Sequence, residues 1–321
     1  MKRRHFIPAA GIAAMAGYAS LKSREEERLS PGPAGDSPVA IIRARNYQED
    51  LASKILQGVK ECGLDVRGLR VLLKPNLVEF DPSTVINTDA ALVAAALEAF
   101  RSLGAREVRI GEGPGHRRDT YSLADDAGYR KAVPRFDDLF VDLNRDDVSA
   151  IHGFADQPEM YFPHAALAAD LIVSLAKMKT HHWAGATLSM KNLFGLVPGA
   201  AYGWPKNILH YIGIPESIVA LGRAFPKTFA IVDAVVGMEG NGPIQGTPKP
   251  VGALVMGRDL VAVDATCCRI MGINPEKVEY LRMASGLGHL AASRIDQRGE
   301  AVGAVHTNFS LLEEFRHYRL V

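Results

Sequence analysis

The stretch Ser174 to Gly199, SLAKMKTHHWAGATLSMKNLFGLVPG, gathers Lys177, Lys179, His181, His182, Lys191 and Asn192. It follows an apolar run, Asp170 to Ser174, that reads as a buried strand. No Asp or Glu occurs from Leu171 to Tyr211. A solvated charged face mixes both signs. Ammonium, imidazole and amide groups interleaved with Gly, Ala, Trp and Leu instead suit an anion, or a ligand that carries a metal. For any single residue the ordinary reading competes. A Lys stem packs on apolar surface while its head reaches water, and a loop His bonds a carbonyl.

Other segments carry groups of the same kind. Lys74-Pro75-Asn76 ends a predicted strand, because Pro cannot continue a central ladder. Gly111-Glu-Gly-Pro-Gly115 ends another. Glycines let amides such as that of Gly113 approach an anion closely, or simply make a tight turn. The segment is neither a Walker sequence nor G-x-G-x-x-G. Glu112 would repel a bare phosphate and is better read as a base or metal ligand. Gly237 to Gly246 reads as a glycine-rich loop that holds out Glu239 and Asn241. Asp233 and Asp264 are expected either to orient a Lys or His or to be paired buried carboxylates.

The roles follow from the chemistry. Lys74, Lys179, Lys191 and Lys177 neutralise a carboxylate or phosphate, and Asn76, Asn192 and Asn241 orient it. Glu112 or Glu239 acts as base, with Lys177 and His181 as further acid–base groups. A divalent metal is the open alternative, with His181, His210, Glu112 and Asp233 as its candidate ligands. Adjacent histidines on a strand point apart, so at most one of His181 and His182 should face a given ligand. No H-x-x-x-H or H-E-x-x-H spacing exists, and a closed zinc site is not expected. Trp183 and Trp204 either wall the site or pack in the core. An enzyme acting on an anionic small molecule is the first expectation. A non-catalytic binding protein for an anionic solute or metal cofactor is the second, and a redox partner the third.

The elements that position these groups alternate. Strands are expected at Val39 to Ala44, Arg70 to Leu73, Glu107 to Ile110, Phe140 to Leu143, Phe229 to Val232 and Pro250 to Met256. Helices are expected at Tyr47 to Cys62, Thr88 to Leu103 with Thr88 as N-cap, Thr120 to Ala127, Pro163 to Ala169, Ile214 to Ala224 and Asp259 to Met271. The segment Arg117 to Asp156 is less regular, with a hairpin reaching Phe162. The pattern argues for one large α/β domain, a mostly parallel sheet with helices on both faces and an irregular insertion. Ligands of such sheets gather at the carboxyl ends of the strands, where Lys74, Asn76, Glu112 and the Lys177 cluster fall.

Composition bounds the rest. The chain has 321 residues and a net charge of +1, with no basic stripe beyond the extreme N-terminus. Nucleic acid is therefore not an expected partner. Cys62 and the adjacent Cys267-Cys268 form no disulfide framework and no metal-ligand spacing. Lys2-Arg3-Arg4-His5-Phe6-Ile7 and the small apolar run to Ala19 resemble a twin-arginine export signal, too short to be a stable transmembrane anchor. Residues 1–22 are read as that signal, 23–37 as a linker and 38–321 as the domain. The export machinery is then a partner, and a periplasmic or exported location follows.

Lys74-Pro75-Asn76, Gly111 to Gly115, Lys177-Met-Lys-Thr-His181, Met190-Lys-Asn-Leu-Phe-Gly195, Val236 to Pro243 and Ala262-Val-Asp264 together resemble the family catalogued as domain of unknown function 362. The resemblance runs in order from about Val39 to Leu281. It implies a fold more than an activity. Many relatives carry an added ferredoxin-like module, but this chain has no C-x-x-C-x-x-C run, so no iron–sulfur cluster is expected from it. A fainter similarity of plan, at the level of fold, links it to the catalytic half of the lactate racemases, which use Lys and His around a nickel-bearing nucleotide.

Overall fold

The computed structural model describes residues 35–116 and 118–320. Its main elements in order are β1 (Ser37–Arg43), α1 (Leu51–Glu61), β2 (Arg70–Pro75), α2 (Ala90–Ser102), β3 (Glu107–Glu112), α3 (Thr120–Asp126), β4 (Phe140–Asp142), β5 (Val148–Phe154), β6 (Gln157–Pro163), β7 (Leu171–His181), β8 (Gly185–Thr187), α4 (Ile214–Ala224), β9 (Thr228–Glu239), β10 (Thr247–Gly257), α5 (Leu260–Ile270) and β11 (Ile295–Gly299). The main sheet runs β11-β1-β10-β9-β7-β2-β3-β4, with β8 folded back on β7. The central block β9-β7-β2-β3-β4 is parallel. β10 is antiparallel to both its neighbours, and β11 is parallel to β1.

Sequence explains the layers. All eleven residues of β7 are buried, as a parallel central strand covered on both faces requires. On one face, Ile55 and Val59 of α1 and Leu92, Ala96 and Phe100 of α2 pack on Val71, Leu73, Ile110 and Ile231. On the other, Val261 and Ile270 of α5 pack against Val39, Ile41, Val232 and Val255. The antiparallel hairpin β5–β6 and α4 complete that face through Phe154, Phe162, Leu221 and Phe225. The architecture is a mostly parallel sheet with helices on both faces. The hairpin is the irregular insertion.

Three expectations change. Asp89, not Thr88, caps α2, its side chain accepting from the Ala91 amide at 2.8 Å. The Thr88 hydroxyl instead donates to the Leu175 carbonyl at 2.6 Å and accepts from the Asn76 amide at 2.9 Å, tying β2 to β7. β7 and β9 both run well past their apolar cores, β7 through His181 and β9 through Glu239. Polar side chains do not end a strand whose backbone is paired on both sides. The Lys cluster is therefore half of a strand, and the glycine-rich loop shrinks to residues 240–246. The proposed export signal and nearly all of the linker lie outside the described residues. Among the described residues, no helix is long and apolar enough to cross a membrane.

Candidate functional site

Because β2, β3, β4, β7 and β9 run in one direction, their carboxyl ends share one edge of the sheet. A cavity of about 360 Å³ opens there. The residues that follow β2 contribute Asn76, Leu77 and Val78. β3 contributes Glu112, and Gly113 follows it. β7 contributes Lys179 and His181. His182 and Trp183 come from the turn after it, and Lys191, Asn192 and Phe194 from the segment that follows. Lys206, His210 and the Pro243-Ile244 pair complete the polar and apolar walls.

Lys74 and Glu112 form a fully buried ion pair beneath this cavity. Lys74 Nζ also donates to the Pro75 carbonyl at 2.8 Å and to Asn192 Oδ1 at 3.2 Å. Asn192 returns a hydrogen bond to the Lys74 carbonyl at 3.0 Å, so the two ends of the site lock together. Burial pulls the Lys74 ammonium below its usual range and pushes Glu112 above the usual carboxylate range, and the pairing opposes both shifts. The backbone of Gly195 crosses directly over the pair. A Cβ there would strike both the Glu112 carboxylate and the Lys74 ammonium. Gly195→Ala should therefore lower the unfolding free energy by roughly 1–3 kcal/mol in denaturant titration. An unchanged midpoint would show that the pair gives way freely.

Lys179 is buried and donates to the Ile86 carbonyl at 2.8 Å and the Pro243 carbonyl at 3.3 Å. Burial, with Lys177 and Lys191 nearby, drives it well below the usual ammonium range. Lys191 is half-buried, with Nζ 3.8 Å from the centre of the Phe194 ring. Burial first, then the Lys74 charge, brings it down to about 7. His181 is held neutral by burial and by the cations around it. Its Nδ1 accepts from the Trp183 and Ala184 amides at 3.0 and 3.1 Å. That assignment leaves Nε2–H as a donor.

Two groups stand out that spacing did not reveal. Lys206 is buried in the left-handed region at φ 67°, costly for a residue with a Cβ. Its ammonium donates to the Gly113 carbonyl and, at 3.2 Å, to the Phe194 carbonyl. Burial lowers it to about 7, partly opposed by Glu112. Thr187 on β8 lines the cavity with a buried hydroxyl that has no partner among the described residues. Lys206 does fall in the acid-free window, which was its only sequence signal. Thr187 becomes visible only once β8 folds back on β7.

Other expected site residues go elsewhere. Lys177 turns away from the cavity to pair with Asp233 at 3.0 Å and to donate to the Tyr47 hydroxyl at 2.8 Å. The cause is a register irregularity between Lys177 and Lys179, which pair with Asp233 and Met238 of β9. Asp233 also accepts from the Asp89 amide at 3.1 Å, so it fastens α2 to the sheet. Glu239 pairs with Lys249 at 3.3 Å and accepts from the Ser310 amide at 2.8 Å, anchoring the C-terminal segment. Asn241 is exposed and bonds Gln245 at 2.9 Å. None of these four lines the cavity. Asp264 is a positioning group. It accepts from the Ser189 and Met190 amides at 2.8 and 3.1 Å and holds the turn that carries Lys191 and Asn192.

His181 and His182 were expected to diverge, yet both line the cavity with rings stacked 4.9 Å apart. β7 ends at His181, and the turn into β8 swings His182 over it. Trp183 stands at the mouth, edge-on to His210 at 5.5 Å. Trp204 packs on Gly199 instead. Of the four candidate metal ligands, His181, His210 and Glu112 line the cavity, with Glu112 paired to Lys74, while Asp233 lies outside it and is committed to Lys177. Among the described residues, no group of three or more His, Cys, Asp or Glu is placed to hold a metal ion.

Fold and cavity define an α/β protein with a cationic, partly apolar pocket at the carboxyl edge of a mostly parallel sheet. The chain belongs to the family described as Domain of unknown function (DUF362), which matches residues 71–269. It is 28% identical over 266 residues to the thylakoid-associated protein sll1697 of Synechocystis sp., covering 78% of this chain and 79% of that one. Among solved structures it is similar to the lactate racemase apoprotein from Thermoanaerobacterium thermosaccharolyticum, with 13% identity and a TM-score of 0.48 over 73% of this chain and 57% of that one. A crystal structure of a Thermotoga maritima protein gives 14% identity and a TM-score of 0.36 over 74% of this chain and 59% of that one. The chain thus spans under two thirds of either solved chain.

Proposed function

We propose that the cavity binds an anionic small molecule, a carboxylate or phosphate, and performs acid–base chemistry on it. The observation that carries this reading is a charge imbalance. Lys179, Lys191 and Lys206 line the cavity, and among the described residues none forms an ion pair. Among the described residues the one carboxylate in the lining, Glu112, is already paired to Lys74. Desolvated ammonium groups without counter-charge are costly, and an anion offsets that cost.

The unpartnered atoms refine the ligand. Among the described residues, Asn76 Oδ1, Glu112 Oε2 and the Thr187 hydroxyl find no hydrogen-bond partner, and all three residues line the same cavity. The first two only accept. The bound molecule therefore offers hydroxyl or amine donors beside its acid group. Lys179 and Lys206 grip the acid. Glu112 Oε2 takes up a proton, and the Nε2–H of neutral His181 donates a hydrogen bond to a developing negative oxygen.

The test is a thermal-unfolding screen against phosphate, phosphate monoesters and a series of mono-, di-, hydroxy- and aminocarboxylates, followed by calorimetry. At a hundredfold excess over Kd, a binding anion should add about 2.7 kcal/mol of stability, and Lys206→Met should remove the effect. Failure of every anion to stabilise the protein would reject the reading.

Export belongs to the same proposal, supported by Lys2-Arg3-Arg4-His5-Phe6-Ile7 and the short apolar run behind it. Arg3→Lys with Arg4→Lys should retain the protein in the cytoplasm, as read by fractionation and immunoblot in its own host. An unchanged distribution would remove export from the reading.

A further inference from the structure

The lysines around the cavity differ in what their ammonium groups touch. Lys74 donates to Glu112, Pro75 and Asn192. Lys179 donates to the Ile86 and Pro243 carbonyls, and Lys206 to those of Gly113 and Phe194. Lys191 has no hydrogen-bond acceptor among the described residues, and its Nζ lies over the Phe194 ring at 3.8 Å. With no acceptor for its N–H protons, the charged form is poorly held, and loss of a proton leaves an amine whose lone pair is available. It sits in an apolar wall beside another cation, the arrangement that makes a lysine nucleophilic.

We propose that Lys191 attacks an aldehyde or ketone carbonyl on the bound anion and forms an imine, which makes the ligand a carbonyl-bearing acid. This rests on the anion-binding reading above and narrows its substrate class. The Nζ lone pair forms the C–N bond as the carbonyl π electrons move to oxygen. One proton passes from nitrogen to that oxygen, giving a carbinolamine. A second proton transfer releases the oxygen as water and leaves C=N. No oxidant or further reactant is required. Glu112 and His181, which line the same cavity, are the groups available to carry the protons.

Two features support the step. Burial and the Lys74 charge hold Lys191 at about 7, so a large fraction is free amine at neutral pH, where an ordinary lysine is almost wholly protonated. The turn that presents it is also fixed. Asp264, fully buried, accepts from the Ser189 hydroxyl at 2.5 Å and from the Ser189 and Met190 amides.

The experiment incubates the full chain with glyoxylate and sodium cyanoborohydride at neutral pH and maps the product by peptide mass spectrometry. Hydride converts an imine to a stable secondary amine. Labelling should fall on Lys191 at roughly tenfold or more the level of exposed Lys60 and Lys131. Lys191→Arg should lose the label while melting as the parent does. Should that variant not fold, protection of the parent by oxalate, which has no electrophilic aldehyde or ketone, replaces it as the control. Label spread evenly, or confined to another lysine, would overturn the imine. Calorimetric oxalate binding without a Lys191 adduct would keep the anion site and reject the imine alone. Neither binding nor adduct would reject both.

Discussion

Replacing Lys74 with Met should destabilise the protein by roughly 3–5 kcal/mol, as expected when one member of a buried ion pair is removed. Lys74 and Glu112 are 0% and 2% exposed at their side chains. Met fills the space but leaves the carboxylate without a counter-charge. Glu112 then escapes the penalty only by holding a proton, and its carboxyl is already raised by burial with the partner present. In the variant the folded state binds more protons than the unfolded state above the unfolded Glu value. Stability should therefore fall as pH rises above the unfolded Glu value of about 4.3. Lys74→Met with Glu112→Leu removes both charges and should recover most of the loss, because a buried pair is often worth no more than an apolar replacement. Denaturant titrations of the two singles and the double complete the cycle. A double variant as unstable as the sum of the singles would show that the two groups act separately.

The alternation of strands and helices, and the placing of Lys74, Asn76, Glu112, Lys179 and Lys191 at one edge, were legible in the sequence. Pro75, the glycines after Glu112 and the apolar start of β7 mark strand ends by local chemistry. What stayed hidden depends on long-range pairing. Nothing local distinguishes Lys177 from Lys179, two residues apart on one strand. Only the shifted register against β9 sends the first to Asp233 and the second to the cavity. Glu239 and Asn241 looked chemical because their loop was glycine-rich, yet Glu239 holds the Ser310 amide. The close approach of Gly195 to the Lys74–Glu112 pair is likewise a meeting of distant segments. So is the seat of Lys206 on the Gly113 carbonyl.

Without ligand, stability should pass through a local minimum near neutral pH and rise again towards pH 10, the reverse of the usual dome. Asp264 is pushed up to about 7 by burial. Between about pH 4 and 7 it holds a proton in the folded state and not in the unfolded one, so its contribution to stability falls as pH rises. Lys191 and Lys206 are both lowered to about 7 by burial. Below that value they are charged in both states, and the cost of burying them is fully present. From about 7 to 10 the folded state holds fewer protons than the unfolded state, and stability rises by at most about 1.4 kcal/mol per pH unit for each lysine. Denaturation midpoints taken across this range test the sign. Lys206→Met should flatten the alkaline rise, and Asp264→Asn should flatten the fall below 7. A saturating anion should remove the share of the alkaline rise that belongs to Lys206, because it supplies the charge that lets this lysine stay protonated. An alkaline limb that is flat in the free protein would mean these lysines keep their charge by some other route, and the imbalance behind the proposed anion site would not exist.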